Sequence, residues 1–266
     1  MSESHRPRRR FSQNFLRDPN TIERLLAAIA PKPGQAMVEI GPGDGALTKP
    51  LLTRAGVLTG IELDRDLADR LESLPGLAVV RADSREVDFT AMAREHDTPL
   101  RIVGNLPYNI TTPLLFHTLE HSASITDIHF LLQREVVERL AAHPGNGEYG
   151  RLSVMVQYRC RVEPLFRVPS GAFQPAPRVT SQLVRLIPHA RPPVHVDDEA
   201  LFAEIVRQAF GKRRKTLRNA LRPLLGEAEF ESAGISPGER AEQLDLTAFA
   251  ALTNARYARQ DPALGW

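Results

Sequence analysis

The sequence predicts an α/β fold, in which a mostly parallel sheet of seven strands is followed by a small, all-helical C-terminal domain. Short apolar runs alternate with helical patterns from about residue 36 to residue 132, and such alternation is typical of parallel strands covered by helices. Roughly the last 70 residues show helical spacing of Leu, Ile, Val and Phe. A proline-rich segment separates the two regions, because prolines there continue neither a helix nor a central strand.

The first predicted helix follows a basic N-terminal segment. Asp18 is a favourable N-cap and Pro19 suits the first helical position, so we expect the helix to begin there and to run to about Ala30. Pro31 and Pro33 then end it.

Seven strands are predicted from apolar runs. The first five belong to the alternating region. The last two lack a helix between them, which predicts a hairpin-like edge added to the parallel sheet. In chain order the predicted strands are residues 36–40, 57–61, 77–80, 100–103, 125–132, 152–158 and 182–187.

These patterns divide the chain into three parts. Residues 1–187 form the predicted α/β domain, including the basic segment 1–17. Residues 188–197 are predicted to be a linker, and residues 198–266 a helical domain, with helices over 198–224 and 239–258.

The composition is that of an ordinary soluble globular protein, with 266 residues of which 42% are hydrophobic and 25% charged. The longest unbroken apolar run, residues 25–30, is far shorter than the roughly 20 residues of a membrane span. A single cysteine, Cys160, closes no intrachain disulfide and builds no thiolate metal cage. We therefore expect a cytoplasmic protein that has no membrane segment.

Residues 117–121 match the zinc-peptidase pattern H-x-x-E-H. Short motifs of this kind recur by chance, and no third protein ligand is indicated. We therefore expect no metal site.

The net charge of +2 conceals two strongly basic segments. Residues 1–17 carry +4 and residues 206–222 carry +7, so the remaining chain carries −9. This distribution favours a polyanionic partner, such as a nucleic acid or an anionic membrane surface, over the alternative of a solvated tail and a solvated helix face. The RNA-binding candidates, which are expected to lie on three turns of one helix, are Lys212, Arg213, Arg214, Lys215, Arg218 and Arg222.

A glycine-rich loop, residues 41–46, follows the first sheet strand, and Glu62 ends the second. This is the Rossmann arrangement, in which glycines such as Gly41 and Gly43 let the backbone approach a nucleotide and a later acid binds ribose hydroxyls. A bound pyrophosphate needs N–H donors and no nearby anion. Pro42 removes a donor and Asp44 adds a negative charge.

S-adenosylmethionine is a cation with an adenosine portion and no phosphate, and it therefore suits this loop better than a dinucleotide. Asp83, just after the third strand, is positioned to accept a hydrogen bond from the adenine amine. The alternative interpretation is a glycine-rich β–α turn with a helix-capping acid.

The fourth strand delivers Asn105, Leu106, Pro107 and Tyr108 to the carboxyl edge of the sheet, where open α/β folds bind ligands. The exocyclic amine of adenine is a poor nucleophile because its lone pair is conjugated with the ring. Acceptors for its two N–H groups, the Asn105 side-chain oxygen and the Leu106 carbonyl, would direct that lone pair at a methyl donor, and Tyr108 would stack on the base. The alternative is a simple strand-ending turn with a buried ring.

Seven segments of the chain match the motifs of one known family: residues 11–16, 39–43, 61–64, 105–110, 149–153, 173–179 and 213–219. Along nearly its whole length the chain thus resembles the small-subunit ribosomal RNA adenine dimethyltransferases, the KsgA family. The resemblance implies a Rossmann-like class I methyltransferase fold with S-adenosylmethionine as cofactor. It also implies transfer of two methyl groups to each of two adjacent adenosines in a hairpin near the 3′ end of 16S rRNA.

By the same resemblance the enzyme acts on the immature 30S subunit during ribosome assembly, and its helical domain, residues 198–266, binds RNA or the ribosome. We expect a monomer. Asn14 and Leu16 would close over the cofactor, and Asn105 would touch both the cofactor and the target amine. Phe173 would sandwich the flipped base opposite Tyr108. The cofactor-binding set is Asn14, Leu16, Gly41, Gly43, Glu62, Asp83 and Asn105, and the catalytic set is Asn105, Leu106, Pro107, Tyr108 and Phe173.

Three other functions stay open. A macrolide-resistance methyltransferase acting on 23S rRNA shares residues 13–16 and the Asn105 tetrapeptide, although the Phe173 loop and the basic residues 213–219 favour the small-subunit family. A non-enzymatic assembly factor would bind RNA without transferring methyl groups. An NAD-dependent oxidoreductase would bind a nicotinamide cofactor in the glycine-rich loop.

Overall fold

A computed structural model describes residues 14–212 and 214–260, which form two compact units. The first unit comprises residues 14–137 and 161–188. The second comprises residues 138–160 together with the described residues from 189 onward. This division differs from the predicted one, which assigned residues 138–160 to the α/β domain. Most of the basic N-terminal segment, residues 1–13, lies outside the described residues.

The helices and strands alternate as far as β6, as the sequence predicts. In chain order the described elements are β1 (Phe15–Leu16), α1 (Pro19–Ile29), β2 (Met37–Ile40), α2 (Thr48–Ala55), β3 (Leu58–Ile61), α3 (Arg65–Leu71), β4 (Leu77–Val80), α4 (Phe89–Glu95), β5 (Leu100–Asn105), α5 (Thr111–Glu120), β6 (Ile125–Gln133), α6 (Arg134–Ala141), α7 (Arg151–Arg159), β7 (Cys160–Val168), β8 (Phe173–Gln174), β9 (Ser181–Pro188), α8 (Glu199–Gly211), α9 (Leu217–Leu221), α10 (Glu227–Ala233) and α11 (Leu246–Gln260).

Seven strands form one sheet in the order β4-β3-β2-β5-β6-β9-β7. The five strands from β4 to β6 are parallel, and β9 pairs antiparallel with β6. The predicted seven-stranded, mostly parallel α/β fold is confirmed. The chain order of the strands reverses between β2 and β5, which is the point where ligands bind in folds of this class.

Helix α1 begins as predicted. The Asp18 carboxylate accepts a hydrogen bond of 2.8 Å from the backbone N–H of Thr21, which caps the helix. Ala30 follows the last helical residue in the left-handed conformation, with φ of 47°.

A buried ion pair attaches the end of α1 to the sheet. The Arg101 guanidinium donates to both carboxylate oxygens of Asp127, at 2.8 and 3.0 Å. It also donates to the Ile29 carbonyl at 2.7 Å, one of the carbonyls that a helix C-terminus leaves without an internal partner. Helix α1, β5 and β6 are therefore joined at the amino ends of the two strands.

The predicted strand at residues 152–158 is wrong, because these residues form helix α7 and the strand β7 begins only at Cys160. The apolar residues of this run fit either period, and packing decides between them. Val154 and Tyr158, four residues apart, face the core of the second unit. The Ser153 hydroxyl accepts from the backbone N–H of Gly150 at 3.0 Å and so caps the helix start.

The predicted helix over residues 198–224 is interrupted. Helix α8 ends at Gly211 and α9 begins at Leu217, and the backbone N–H of Lys215 donates to the Lys212 carbonyl across the turn between them. Lys212, Arg214 and Lys215 therefore lie on the turn, Arg218 lies on α9 and Arg222 directly follows it, so these residues do not lie on three turns of one helix. Helix α10 was not predicted.

The proline-rich segment 188–197 lacks helix and strand beyond Pro188, but it is not a free linker. The backbone N–H of His189 donates to the Arg159 carbonyl at 2.9 Å. Val194 and Val196 pack against the core of the second unit. Among the described residues, no helix combines the length and apolar composition that crossing a bilayer requires.

Candidate active site

The carboxyl ends of β2, β3 and β5 open into one cavity in the first unit. Its wall includes the glycine-rich loop, the ends of the neighbouring strands, the Asn105 tetrapeptide and the segment around β1. The main lining segments are residues 14–16, 39–44, 61–64, 82–85 and 104–110. The structure thus brings all the predicted cofactor-binding residues and the whole tetrapeptide to one place.

Glu62 is 7% exposed, and backbone N–H groups hold its carboxylate from two sides. Gly43 donates to Oε2 at 3.0 Å and Asp64 donates to Oε1 at 2.9 Å. Burial raises the pKa of Glu62. The carboxylate is therefore fixed at the end of β3 with acceptor capacity remaining, which suits ribose hydroxyls.

Asp83 is positioned by Arg85, which also lines the cavity. The Arg85 side chain donates to both carboxylate oxygens, at 3.0 Å from Nε and 2.6 Å from Nη2. The same guanidinium lowers the pKa of Asp83, which keeps the carboxylate ionised. An ionised carboxylate is an acceptor for the amine of an adenine ring.

Two features favour glycine at position 43. Its φ is +61°, and a Cβ at this position would lie 3.1 Å from Cε1 of Phe15. The Phe15 ring therefore lies directly against the glycine-rich loop, and the loop and the segment around β1 close onto each other.

Asn105 joins the tetrapeptide to the segment around β1. Its Nδ2 donates to the Asn14 carbonyl at 3.0 Å. The side-chain nitrogen is thereby oriented, and Oδ1 is the atom that accepts from another group. An oriented acceptor of this kind is what the chemistry of an exocyclic amine requires.

Tyr108 lies three residues beyond Asn105, and its hydroxyl is 2.9 Å from the Ser181 hydroxyl. Burial raises the pKa of Tyr108, so its phenol stays protonated near neutral pH. Tyr108 therefore offers an aromatic face and not a general base.

The structure does not bring Phe173 to the cavity wall. Its side chain is 3% exposed and belongs to the core that also contains Leu16 and Val168. Strand β8 pairs with β1, and Phe173 lies opposite Leu16 in this pairing. Its ring is part of the core under the segment around β1, and its place against the target base stays a prediction.

Two lining residues were missed by sequence reasoning. Glu39 is 2% exposed, and its Oε2 makes no hydrogen bond of ordinary geometry with the described residues. Burial raises the pKa of Glu39 to about 7, and the Thr48 side chain acts in the opposite direction by lowering this pKa. Leu63 is 50% exposed at the cavity, where it offers an apolar surface. The available signal was their position next to Ile40 and Glu62, at the carboxyl ends of two parallel strands.

The predicted RNA-binding residues differ in their surroundings. Lys212, Lys215 and Arg222 line a second, open cavity with Asn219. Arg218 is paired with a carboxylate of the same unit, since its Nε lies 2.9 Å from Oε1 of Glu227. Arg214 is exposed. Arg213 lies outside the described residues.

The H-x-x-E-H segment has a structural role in the first unit. His117 contacts the Val87 carbonyl at 2.8 Å, and His121 contacts the Thr90 hydroxyl at 2.9 Å. Both rings pack against Phe89. Within residues 14–212 and 214–260, no group of three or more His, Cys, Asp or Glu side chains is arranged to hold a metal ion.

The first cavity fits S-adenosylmethionine. Its acidic lining residues exceed its basic ones, and the arginine among the described lining residues is paired with Asp83. Glu39 adds a buried acceptor, because its Oε2 makes no hydrogen bond of ordinary geometry with the described residues. Leu63 adds an apolar surface for an adenine ring. A ligand that combines a cation with adenosine meets all of these groups.

Comparisons with known proteins agree with this geometry. The family model of ribosomal RNA adenine dimethylase matches residues 4–256. The chain is 54% identical to ribosomal RNA small subunit methyltransferase A of Pseudomonas aeruginosa, covering 96% of this chain and 97% of the relative. It is 52% identical to the protein of the same name from Chromohalobacter salexigens, covering 94% of this chain and 92% of the relative.

Solved structures extend the comparison. The 23S rRNA methyltransferase ErmE is 27% identical, with a TM-score of 0.67, and the match covers 92% of this chain and all of ErmE. A dimethyladenosine transferase from Plasmodium falciparum has the same fold, with a TM-score of 0.73 at 24% identity, covering 90% of this chain and 95% of that one. The cavity, the family model and the curated relatives together show that the chain belongs to the ribosomal RNA adenine dimethylase family.

Proposed function

We propose that the cavity holds S-adenosylmethionine beside a flipped-out adenine of small-subunit rRNA, and that Asn105 and Leu106 present the N6 amine of that adenine for methylation. As a member of its family the chain is an S-adenosylmethionine-dependent rRNA adenine dimethyltransferase. This assignment of roles rests on the orientation of the Asn105 side chain, whose Nδ2 donates a hydrogen bond to the Asn14 carbonyl.

The cofactor-binding part of the proposal assigns one partner to each section of the ligand. Glu62 binds the ribose hydroxyls, and Asp83 accepts from the adenine amine. The backbone at Gly41 and Gly43 approaches the ligand closely, and Asn14 and Leu16 cover it. S-adenosylmethionine, when bound, supplies an electrophilic methyl group, so no metal or dedicated general base is needed.

The target-binding part of the proposal concerns the tetrapeptide. The Asn105 Oδ1 and the Leu106 carbonyl accept the two N–H groups of the amine, which directs the nitrogen lone pair at the methyl group. Pro107 restricts the backbone of the turn. The Tyr108 ring stacks on the base and replaces the stacking that the base loses when it leaves the RNA helix.

The proposed substrate is 16S rRNA in the immature 30S subunit, on which the protein acts as a monomer in the cytoplasm. Identities above 50% to small-subunit methyltransferases support this target over 23S rRNA, since the identity to ErmE is 27%. The fold does not separate the two targets, because ErmE has it as well.

The first experiment tests catalysis. Unmethylated 30S particles are incubated with labelled S-adenosylmethionine, and the modified bases are mapped by mass spectrometry. We expect Asn105→Ala to bind the particles normally but to transfer methyl groups about 100-fold more slowly at saturating cofactor, because a misplaced amine reacts poorly.

The exposed Asn20, outside the cavity, provides the matched control Asn20→Ala. Near-normal turnover by Asn105→Ala would contradict the assigned role. Methylation of 23S rRNA in place of 16S rRNA would favour the macrolide-resistance function, and binding without any transfer would favour an assembly factor.

We also propose that the α8–α9 turn contacts rRNA phosphates, because Lys212, Lys215 and Arg222 line one open cavity and contribute three positive charges. Phosphate contacts release condensed counterions, so they make binding depend on salt. We expect the triple change to Gln to weaken 30S binding and to flatten the plot of log K against log salt by up to about one unit per lost contact.

The matched control for this experiment is Arg207→Gln on helix α8. Arg207 is exposed, but both its Nε and its Nη2 donate to the Glu204 carboxylate, at 2.7 and 2.6 Å. We expect this variant to keep the wild-type slope. An equal slope for the triple variant would assign the RNA contacts to other parts of the chain.

A further inference from the structure

We propose that Ser181 is a positioning residue, which holds the Tyr108 ring in the orientation that stacks on the target adenine during both methyl transfers. The inference rests on the proposed function, since it requires Tyr108 to be the stacking ring. Ser181 itself belongs to neither set of site residues identified from the sequence.

The contact joins a loop residue to a rigid strand. The two hydroxyl oxygens lie 2.9 Å apart, and Ser181 is 1% exposed. Ser181 is the first residue of β9 and pairs with Gln133 of β6. The preceding carbonyl, of Thr180, accepts from the backbone N–H of Arg134 at 2.9 Å. Ser181 is therefore fixed by backbone hydrogen bonds on the strand and next to it.

The loop that carries Tyr108 is fixed at its backbone on both sides. The backbone N–H of Leu106 donates to the Leu131 carbonyl at 3.3 Å, and that of Ile110 donates to the Pro107 carbonyl at 3.3 Å. These bonds place the Cα of Tyr108 but leave its ring free to rotate about two side-chain bonds. The hydrogen bond to Ser181 removes this freedom at the far end of the ring.

A stacking ring has to be oriented before the base arrives. Base stacking depends on the ring faces being parallel, and a ring that samples several rotamers presents the correct face only part of the time. A half-buried phenol also needs a polar partner, because an unpaired buried hydroxyl is unfavourable. Ser181 meets both requirements with one hydroxyl.

The position of the ring matters most for dimethylation. After the first transfer the base must stay in the cavity, or return to it, before the second transfer adds another methyl group to the same nitrogen. A loosely held ring slows each transfer and retains the base poorly between transfers. Loss of the hydrogen bond is therefore expected to increase the monomethylated product relative to the dimethylated one.

The test is a double-mutant cycle with Ser181→Ala, Tyr108→Phe and the combined variant. The readouts are the single-turnover rate on unmethylated 30S particles and the ratio of N6-methyladenosine to N6,N6-dimethyladenosine. We expect each single variant to lose roughly tenfold in rate and to accumulate the monomethyl product, with no further loss in the combined variant. The affinities for S-adenosylmethionine and for the particles should stay unchanged, and Ser181→Thr should restore activity.

Thr118→Ala is the matched control, because Thr118 is a buried hydroxyl that donates to the Leu114 carbonyl of its own helix. Tyr108→Phe deletes the same hydrogen bond without touching the sheet, so it decides the matter if Ser181→Ala fails to fold. Additive losses, or unchanged rate and product ratio, would overturn the proposal. Failure of the proposed function would be seen differently, as normal methyl transfer by Asn105→Ala.

Discussion

At the scale of single residues, the least expected feature is the buried carboxyl of Glu39. It lines the cavity at the end of β2, and its Oε2 has no hydrogen-bond partner within the geometric limits among the described residues. Burial raises its pKa from 4.5 to about 7. The folded protein therefore keeps the proton over a pH range in which the unfolded chain has lost it.

This shift predicts how stability depends on pH in the absence of ligand. Because the pKa of Glu39 is raised in the folded state, stability falls as pH rises from about 4.5 to about 7, and the full penalty applies above that range. A shift of this size corresponds to roughly 3 kcal/mol. We expect Glu39→Gln to raise the free energy of unfolding at pH 8 by up to this amount, and to change it little at pH 4, as measured by urea denaturation.

The same shift predicts a pH-dependent affinity for the cationic cofactor. Positive charge in the cavity favours the ionised carboxylate, so we expect wild-type affinity to rise between pH 6 and pH 8, by at most tenfold per unit. Calorimetry on Glu39→Gln should show weaker binding and a flatter profile over this range. Identical profiles for the two proteins would mean that Glu39 stays neutral when the cofactor binds.

At the scale of elements, the cavity is closed by the short segment around β1. The ladder between β1 and β8 contains two residues from each strand, which is too short to be stable alone. Three contacts from other elements support it. Asn105 donates to the Asn14 carbonyl, Phe15 lies against Gly43, and the Arg17 guanidinium lies 2.6 Å from the Asp44 carboxylate.

The ion pair between Arg17 and Asp44 is expected to slow release of the cofactor. Its side chains are 54% and 22% exposed, so its contribution is about 1 kcal/mol or less and should vanish at high salt. We expect Arg17→Gln and Asp44→Asn each to increase the dissociation rate by about two- to fivefold at low salt, as measured by stopped flow.

The two variants distinguish closure of the cavity by the segment around β1 from direct attraction of the cofactor by Asp44. If Asp44 only attracted the cationic cofactor, Asp44→Asn would speed release, whereas Arg17→Gln would slow it. A higher dissociation rate of the cofactor in both variants supports closure by the ion pair. Changes of opposite sign in the two variants would contradict it. The exposed pair between Arg54 and Glu23 lies outside the cavity, so Arg54→Gln is the control.

At the scale of the whole molecule, the chain passes between the two units three times, at residues 137–138, 160–161 and 188–189. Helix α7 supplies part of the second core, in which the rings of Tyr158 and Phe202 lie 4.8 Å apart. The second unit is therefore not continuous in sequence, and the proline-rich segment does not mark its only boundary.

Two fragments test this division. We expect residues 189–266 alone to remain unfolded, because their core lacks Val154 and Tyr158. A fragment that joins residues 138–160 to residues 189–266 through a few glycines should fold, since the hydrogen bond between Arg159 and His189 shows that these ends are adjacent. Circular dichroism and cooperative thermal unfolding provide the measurement. Cooperative folding of residues 189–266 alone would contradict the division.

The sequence by itself determined the sheet, its glycine-rich loop and the chemistry at its edge. The spacing of apolar residues and the residues that begin or end helices and strands are local signals. The N-cap at Asp18 and the acids after β3 and β4 were therefore predicted at the correct positions. Because the carboxyl ends of parallel strands meet at one edge, the alternating pattern alone predicts that Glu62, Asp83 and Asn105 lie together. All three residues line the cavity.

Only the tertiary structure decided the features that depend on contacts distant in sequence. Residues 152–158 fit a strand or a helix equally well, and packing against the second core selects the helix. Phe173 is buried in the core that contains Leu16, and a contact across 73 residues joins Tyr108 to Ser181. Local pattern carries no information on such pairings, because they arise only when the folded chain brings distant side chains to one place.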